Sequence, residues 1–103
     1  MREPQVKSPL VVGVDGQRYS SDMDASLDDL VDGCFSGGSG PRTLAYLESL
    51  TTRRVLGPQA SDQELRHLEG ARWLVGVIRG RIQSNKARND ATSRGTVRRE
   101  PDE

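Results

Sequence analysis

Residues Ser61 to Ile82 read SDQELRHLEGARWLVGVIRGRI, and their spacing predicts one amphipathic helix. Ser61 followed by Glu64 is a capping box, in which each side chain accepts a hydrogen bond from the other residue's backbone N–H. Apolar residues then recur at steps of three and four, which places them on one stripe at about 100° per residue. We expect this stripe to form the core; its members are Leu65, Leu68, Ala71, Val75, Ile78 and Ile82.

A second apolar strip lies on the same helix, nearly opposite the core stripe. Trp73 and Val77 fall there, with Gly70 and Leu74 beside them. Glycine inside a helix costs about 1 kcal/mol relative to alanine, so Gly70 suggests the close approach of another backbone or a bulky side chain. Together with Tyr46 of the preceding helix, these residues are the predicted partner-binding surface.

A second helix is predicted to precede the first. Pro41 suits its first position, and its apolar residues continue to about Arg54, before the break at Gly57-Pro58. The short connection predicts an antiparallel helical hairpin over residues 41–82. The SGGSG sequence of residues 36–40 predicts a flexible joint before this hairpin.

Residues 1–35 are predicted to be an N-terminal arm, extended at first. Asp15-Gly16 between two short β-prone segments predicts a β-hairpin. A short acidic helix is expected next, capped by Ser26 and ended by Gly33. One face of this helix then carries Leu27, Leu30, Val31 and Cys34.

Composition limits the size of any core. Of 103 residues, 33% are hydrophobic and four are aromatic, which is low for a globular chain and favours assembly with a partner. The predicted fold is mainly α: a small antiparallel helix pair with an extended or hairpin N-terminal arm and a disordered or extended basic C-terminal tail over residues 83–103.

The charges are segregated although the formal net charge is zero. The first 35 residues hold seven acids and three bases, whereas residues 79–99 hold seven bases and one acid. Such a basic segment attracts phosphates or an acidic protein surface. The alternative nucleic-acid contacts are therefore Arg79, Arg81, Lys86, Arg88, Arg94, Arg98 and Arg99.

Catalytic chemistry is not expected. Cys34 and His67 are the only cysteine and the only histidine, and no base with an orienting partner stands at a suitable spacing. No metal site, cofactor or membrane span is predicted either, since the chain lacks a multi-cysteine cluster and an apolar run of about 18 residues.

The helix pair resembles the Bbp19-like proteins of tailed bacteriophages over about residues 40–82. The resemblance rests on G-x-R-x-L-x-x-L from Gly40 to Leu47 and on E-G-x-R from Glu69 to Arg72, followed by apolar residues to Ile78. It implies a phage-encoded protein found among genes for head and tail components, with no recognised enzymatic activity.

Three functional hypotheses remain open. The first is a non-enzymatic minor structural protein of the virion, present in the host cytoplasm during assembly, which docks on larger head, portal or tail proteins and on copies of itself. The second is a nucleic-acid-binding accessory protein that acts through the basic tail. The third is a small regulator that binds a host protein.

Overall fold

A computed structural model describes residues 9–99, with side chains described for residues 9–92. It contains strands β1 (Val11–Val12) and β2 (Arg18–Tyr19), followed by helices α1 (Ser21–Ser36), α2 (Gly40–Leu50) and α3 (Asp62–Arg99). The mainly helical fold with a small N-terminal hairpin is therefore confirmed. The predicted extended arm over residues 1–8 and the last residues of the tail, 100–103, lie outside the described residues.

The β-hairpin turns at Asp15-Gly16, as its sequence predicts. Val11 pairs with Tyr19 in antiparallel register. Gly16 has φ +85°, a conformation that glycine adopts without steric cost. The Asp15 carboxylate accepts a hydrogen bond from the Gln17 N–H at 2.8 Å, which is the local bond that makes aspartate favourable in turns.

Helix α1 is longer than its sequence predicts. It begins after Ser20, whose hydroxyl accepts a hydrogen bond from the Met23 N–H at 3.2 Å. The prediction of Ser26 as the cap and Gly33 as the end was wrong, because α1 packs along α3 and this contact supports a helix of 16 residues.

The connection from α1 to α2, where the sequence predicts a flexible joint, is a tight turn. The Gly40 N–H donates to the Gly37 carbonyl at 2.9 Å, and Gly38 has φ +56°. A Cβ at position 40 would lie 2.5 Å from the Phe35 carbonyl carbon, so glycine permits this close packing.

Helices α2 and α3 form the predicted antiparallel pair. Leu44 of α2 packs in the core with Val75 and Ile82 of α3, while Thr51 at the end of α2 accepts a hydrogen bond from Arg72, earlier in α3. Helix α2 ends at Leu50 rather than near Arg54. The chain turns there because the Thr51 hydroxyl and N–H both bond back to carbonyls of α2.

Helix α3 begins with the predicted capping box and continues beyond its predicted end. The Ser61 N–H donates to Glu64 Oε1 at 2.8 Å, and the Glu64 N–H donates to Ser61 Oγ at 3.1 Å. The helix does not end at Ile82 but runs to Arg99, so residues 83–99 are helical and not an extended tail. As far as Arg88, polar contacts with α1, described below, take the place of the missing apolar stripe.

Candidate interaction surfaces around a buried charge network

Arg81 of α3 joins the hairpin, α1 and α3. Its guanidinium donates to the carboxylates of Asp24 at 2.6 Å and Asp28 at 2.8 Å, and lies 3.4 Å from that of Asp15. It also stands 5.4 Å from the centroid of the Tyr19 ring, within the range of a cation–π contact. The Arg81 side chain is only 3% exposed, so its charge depends on these partners.

The network continues along α1 at every fourth residue. Asp28, whose side chain is 1% exposed, accepts a second charged hydrogen bond from Arg88 at 2.9 Å. One turn further, Asp32 accepts from the Asn85 amide at 2.8 Å and lies 3.5 Å from Lys86 Nζ. Partners later in α1 therefore lie later in α3, which shows that these two helices run parallel.

The pKa values of the network reflect these bonds. Hydrogen bonds from Asn85 and Ser36 hold the pKa of Asp32 below its ordinary value, against the opposing effect of burial. Burial would lower the pKa of Arg81, but its bonds to the α1 carboxylates outweigh that effect and raise it. The bond from the Tyr19 hydroxyl to Asp15, at 2.6 Å, lowers the carboxyl pKa and raises the phenol pKa.

Helix α1 exposes much of the apolar face that its sequence predicts. Met23 is 51% exposed and Leu30 is 67% exposed; Cys34 is exposed and Leu27 is half-buried. Leu30 and Cys34 face solvent because the aspartate face of α1 turns toward the cations of α3. Val31 does pack against the core, together with Phe35. We call Met23, Leu27, Leu30 and Cys34 the α1 strip.

The second apolar strip of α3 is exposed, as its position opposite the core stripe suggests. Trp73 is 56% exposed and Leu74 is 57% exposed; Gly70 is exposed and Val77 is half-buried. These four residues are named the Trp73 strip. Apart from the neighbouring turns of α3 itself, no atom of the described residues lies within 4 Å of a Cβ built at Gly70.

Two details differ from the predicted partner surface. Of Gly70, Gly76 and Gly80 in α3, the glycine that lies close to another element is Gly80, where a Cβ would lie 3.4 Å from the Val14 side chain. Tyr46 is 62% exposed, but it lies two residues from the buried Leu44 and hence on the outer face of α2. The structure therefore does not join Tyr46 to the Trp73 strip.

The predicted phosphate-binding residues are largely engaged with carboxylates. Arg79 donates to Glu48 at 2.8 Å, and Arg81, Lys86 and Arg88 belong to the network with α1. The side chains of the remaining three residues, Arg94, Arg98 and Arg99, lie outside the described part of the chain.

Arg72 of the E-G-x-R motif donates hydrogen bonds to the backbone that follows α2. Its Nε donates to the Thr51 carbonyl at 3.0 Å and its terminal nitrogen donates to the Arg54 carbonyl. Glu69 lies 3.6 Å from the same guanidinium. These carbonyls follow a helix end, where backbone acceptors lack intrahelical partners. The motif thus holds the connection between α2 and α3.

An open groove of about 880 Å³ lies between this connection and the first turns of α3, with Leu50, His67 and Leu68 among its lining residues. Within residues 9–92, no three His, Cys, Asp or Glu side chains are grouped as a metal site would require. None of the described helices combines the length and apolar character needed to cross a bilayer.

Over residues 9–99 the protein thus consists of three helices and a small hairpin, joined by buried charges and a small apolar core, with exposed apolar strips on α1 and α3. Residues 31–91 match the family model described as Bbp19-like phage protein. The match covers more than half of the chain, so the chain belongs to this family, and the resemblance seen in the sequence is confirmed. No curated protein and no solved structure matches the chain.

Proposed function

We propose that this protein is a non-enzymatic minor component of a tailed-phage particle, which docks on a larger head, portal or tail subunit through the Trp73 strip. The observation that carries the proposal is that Trp73 and Leu74 are more than half exposed in a chain of a phage family. Tryptophan and flanking arginines are enriched at the energetic centres of protein interfaces. In this role the protein would be found in the virion, and in the host cytoplasm during assembly.

The small core supports a docking role. The buried hydrophobic residues among those described are Leu44, Leu68, Val75 and Ile82. A domain with so little buried apolar surface gains stability when a partner binds its folded state, by mass action. The Trp73 strip supplies an apolar surface for such a partner.

The alternative of nucleic-acid binding through the basic segment has less support. Four of its seven cations already face carboxylates, and Arg81 is 2% exposed. Phosphate contacts by these residues would compete with existing ion pairs. A host-protein regulator would use the same Trp73 strip, so the place where the protein accumulates distinguishes it from a virion component.

The test is the amount of protein in purified particles. Phage carrying Trp73→Ala should contain far less of the protein per particle than wild-type phage, whereas Val55→Ala should not differ. Val55 is a matched control because it is apolar, 86% exposed and outside the strip. Quantitative mass spectrometry of particles and host lysate gives both amounts. Absence of the wild-type protein from particles would reject the proposal.

A further inference from the structure

Helix α1 presents an apolar seam to solvent, while three of its five aspartates, Asp24, Asp28 and Asp32, face the polar side chains of α3. Successive members of the α1 strip are four, three and four residues apart, the spacing by which one helix packs along another. A helix that only supports its own domain would bury such a seam and expose its acids. Here the inward face is already taken by the aspartates that bind α3.

The border of the α1 strip is negative. Asp22 precedes Met23 and Asp29 precedes Leu30, so the two aspartates lie seven residues apart along one edge of the strip. Both are exposed, and neither has an ion pair among the described residues. Helix α1 contains no lysine or arginine, so nothing within the helix offsets these charges.

The other edge of the strip is closed by Val31, which packs into the core. On the open side, Ser26 and Gly33 are small, and outside the turns of α1 itself no described atom would lie within 4 Å of a Cβ at Gly33. Small residues beside an apolar seam allow another helix to approach closely. The negative charge along the edge of the strip then favours a partner helix with basic residues over one with acidic residues.

We propose that the α1 strip binds an amphipathic helix of a partner protein, and that the apolar seam of this partner helix is bordered by lysine or arginine. Leucines of the partner fill the spaces between Met23, Leu27 and Leu30, and its cations meet Asp22 and Asp29. A second copy of α1 is disfavoured, because it would bring the same uncompensated aspartates to the interface. This surface is distinct from the Trp73 strip, so the inference goes beyond the proposed function.

The test uses the full chain and two fluorescent synthetic helices with leucines at alternating three- and four-residue spacing. One helix has lysines beside the seam and the other has glutamates. Fluorescence anisotropy should show binding of the lysine helix and little binding of the glutamate helix. Leu30→Gln should weaken binding about tenfold to hundredfold, as expected for loss of one buried leucine. The matched control Val55→Gln, at an exposed apolar residue outside both strips, should leave binding unchanged.

The charges are tested by the double variant Asp22→Asn, Asp29→Asn. Its preference for the lysine helix over the glutamate helix should fall by roughly three- to tenfold, the scale of two exposed ion pairs. Leu30, Asp22 and Asp29 are all exposed, so these variants should retain the helical circular dichroism of the wild type. Equal binding of the two helices by the wild type, or full binding by Leu30→Gln, would overturn the proposal.

Cys34 provides an independent location test because it is the only cysteine and belongs to the strip. Bound lysine helix should slow the alkylation of Cys34, but not that of a Gln59→Cys variant in a Cys34→Ser background. An unchanged Cys34 rate at saturating peptide would place the peptide elsewhere. Analytical ultracentrifugation tests for self-association. If the wild-type chain is a dimer and Leu30→Gln is a monomer, the α1 strip binds a second copy of the chain and not a basic helix of another protein.

Discussion

Replacing Arg81 with methionine removes the cation on which the hairpin, α1 and α3 converge. Asp28 would remain buried, with its side chain 1% exposed, and would keep only the bond from Arg88. Breaking a buried ion pair by removing one partner typically costs about 3–5 kcal/mol, because the remaining charge is left uncompensated. Since Arg88 still contributes, we expect the lower end, about 3 kcal/mol.

That loss is large for a small domain, whose whole unfolding free energy is typically about 5–15 kcal/mol. Urea unfolding followed by far-ultraviolet circular dichroism measures it directly. The matched control is Arg79→Met, which removes an ion pair with Glu48 whose side chains are 44% and 18% exposed. An exposed pair contributes only about 0–1 kcal/mol, so this variant should unfold close to the wild type.

A double variant separates the ion pair from packing. In Arg81→Met with Asp28→Leu both buried charges are gone, and replacing a buried pair with apolar side chains of similar size is often neutral. The double variant should therefore be more stable than Arg81→Met alone, which gives a coupling free energy from the mutant cycle. If Arg81→Met costs no more than Arg79→Met, the charge network does not hold α1 on α3 and the reasoning fails.

Three further outcomes are expected. The pKa of Asp32 is lowered in the folded protein, so this carboxylate stabilises the fold at pH values above its ordinary pKa of 3.8, and the stabilisation is lost as the pH falls through the folded-state pKa. Asn85→Ala should reduce this loss of stability at acid pH, measured as melting temperature at several pH values. Gly13→Ala should lower the melting temperature, since its Cβ would lie 2.8 Å from the Arg81 guanidinium, whereas Gly37→Ala has open space and should not. Arg72→Ala should speed amide hydrogen exchange at the end of α2, and unchanged exchange there would show that its bonds to that turn are dispensable.

Local signals in the sequence were sufficient for several elements. The Ser61 capping box, the Asp15-Gly16 turn and the antiparallel pairing of α2 with α3 depend on residues close in the chain, and all three are found in the structure. The exposure of Trp73 also follows from its angle to the core stripe. Each of these features needs only the period of a helix or the chemistry of a turn.

The orientation of α1 could not be derived in the same way. Leucines at helical spacing ordinarily indicate a buried face, and aspartates at helical spacing ordinarily indicate solvent. The reverse arrangement depends on Arg81, Asn85 and Arg88, which lie more than fifty residues later. The sequence does contain a signal. The aspartates of α1 stand four residues apart, and their partners in α3 stand four and three residues apart, but this match can be recognised only once the two helices are known to lie side by side.

The same contacts also explain why α3 continues beyond Ile82, the last residue of its apolar stripe. After Ile82 the sequence is polar, which in isolation indicates a solvated tail. Asn85 is nevertheless 5% exposed, because the carboxylate of Asp32 covers it. Helix continuation there reflects a tertiary contact that outweighs local composition.

The inward placement of the aspartates has a consequence for how this short chain can change. Charged hydrogen bonds contribute much of the contact between α1 and α3, whereas the α1 strip and the Trp73 strip are apolar and exposed, so the ionic contact and the exposed strips use separate sets of side chains. Substitutions of Leu30 or Trp73 should therefore leave the ionic contacts between α1 and α3 intact. A protein organised in this way can acquire new binding preferences without first losing its shape.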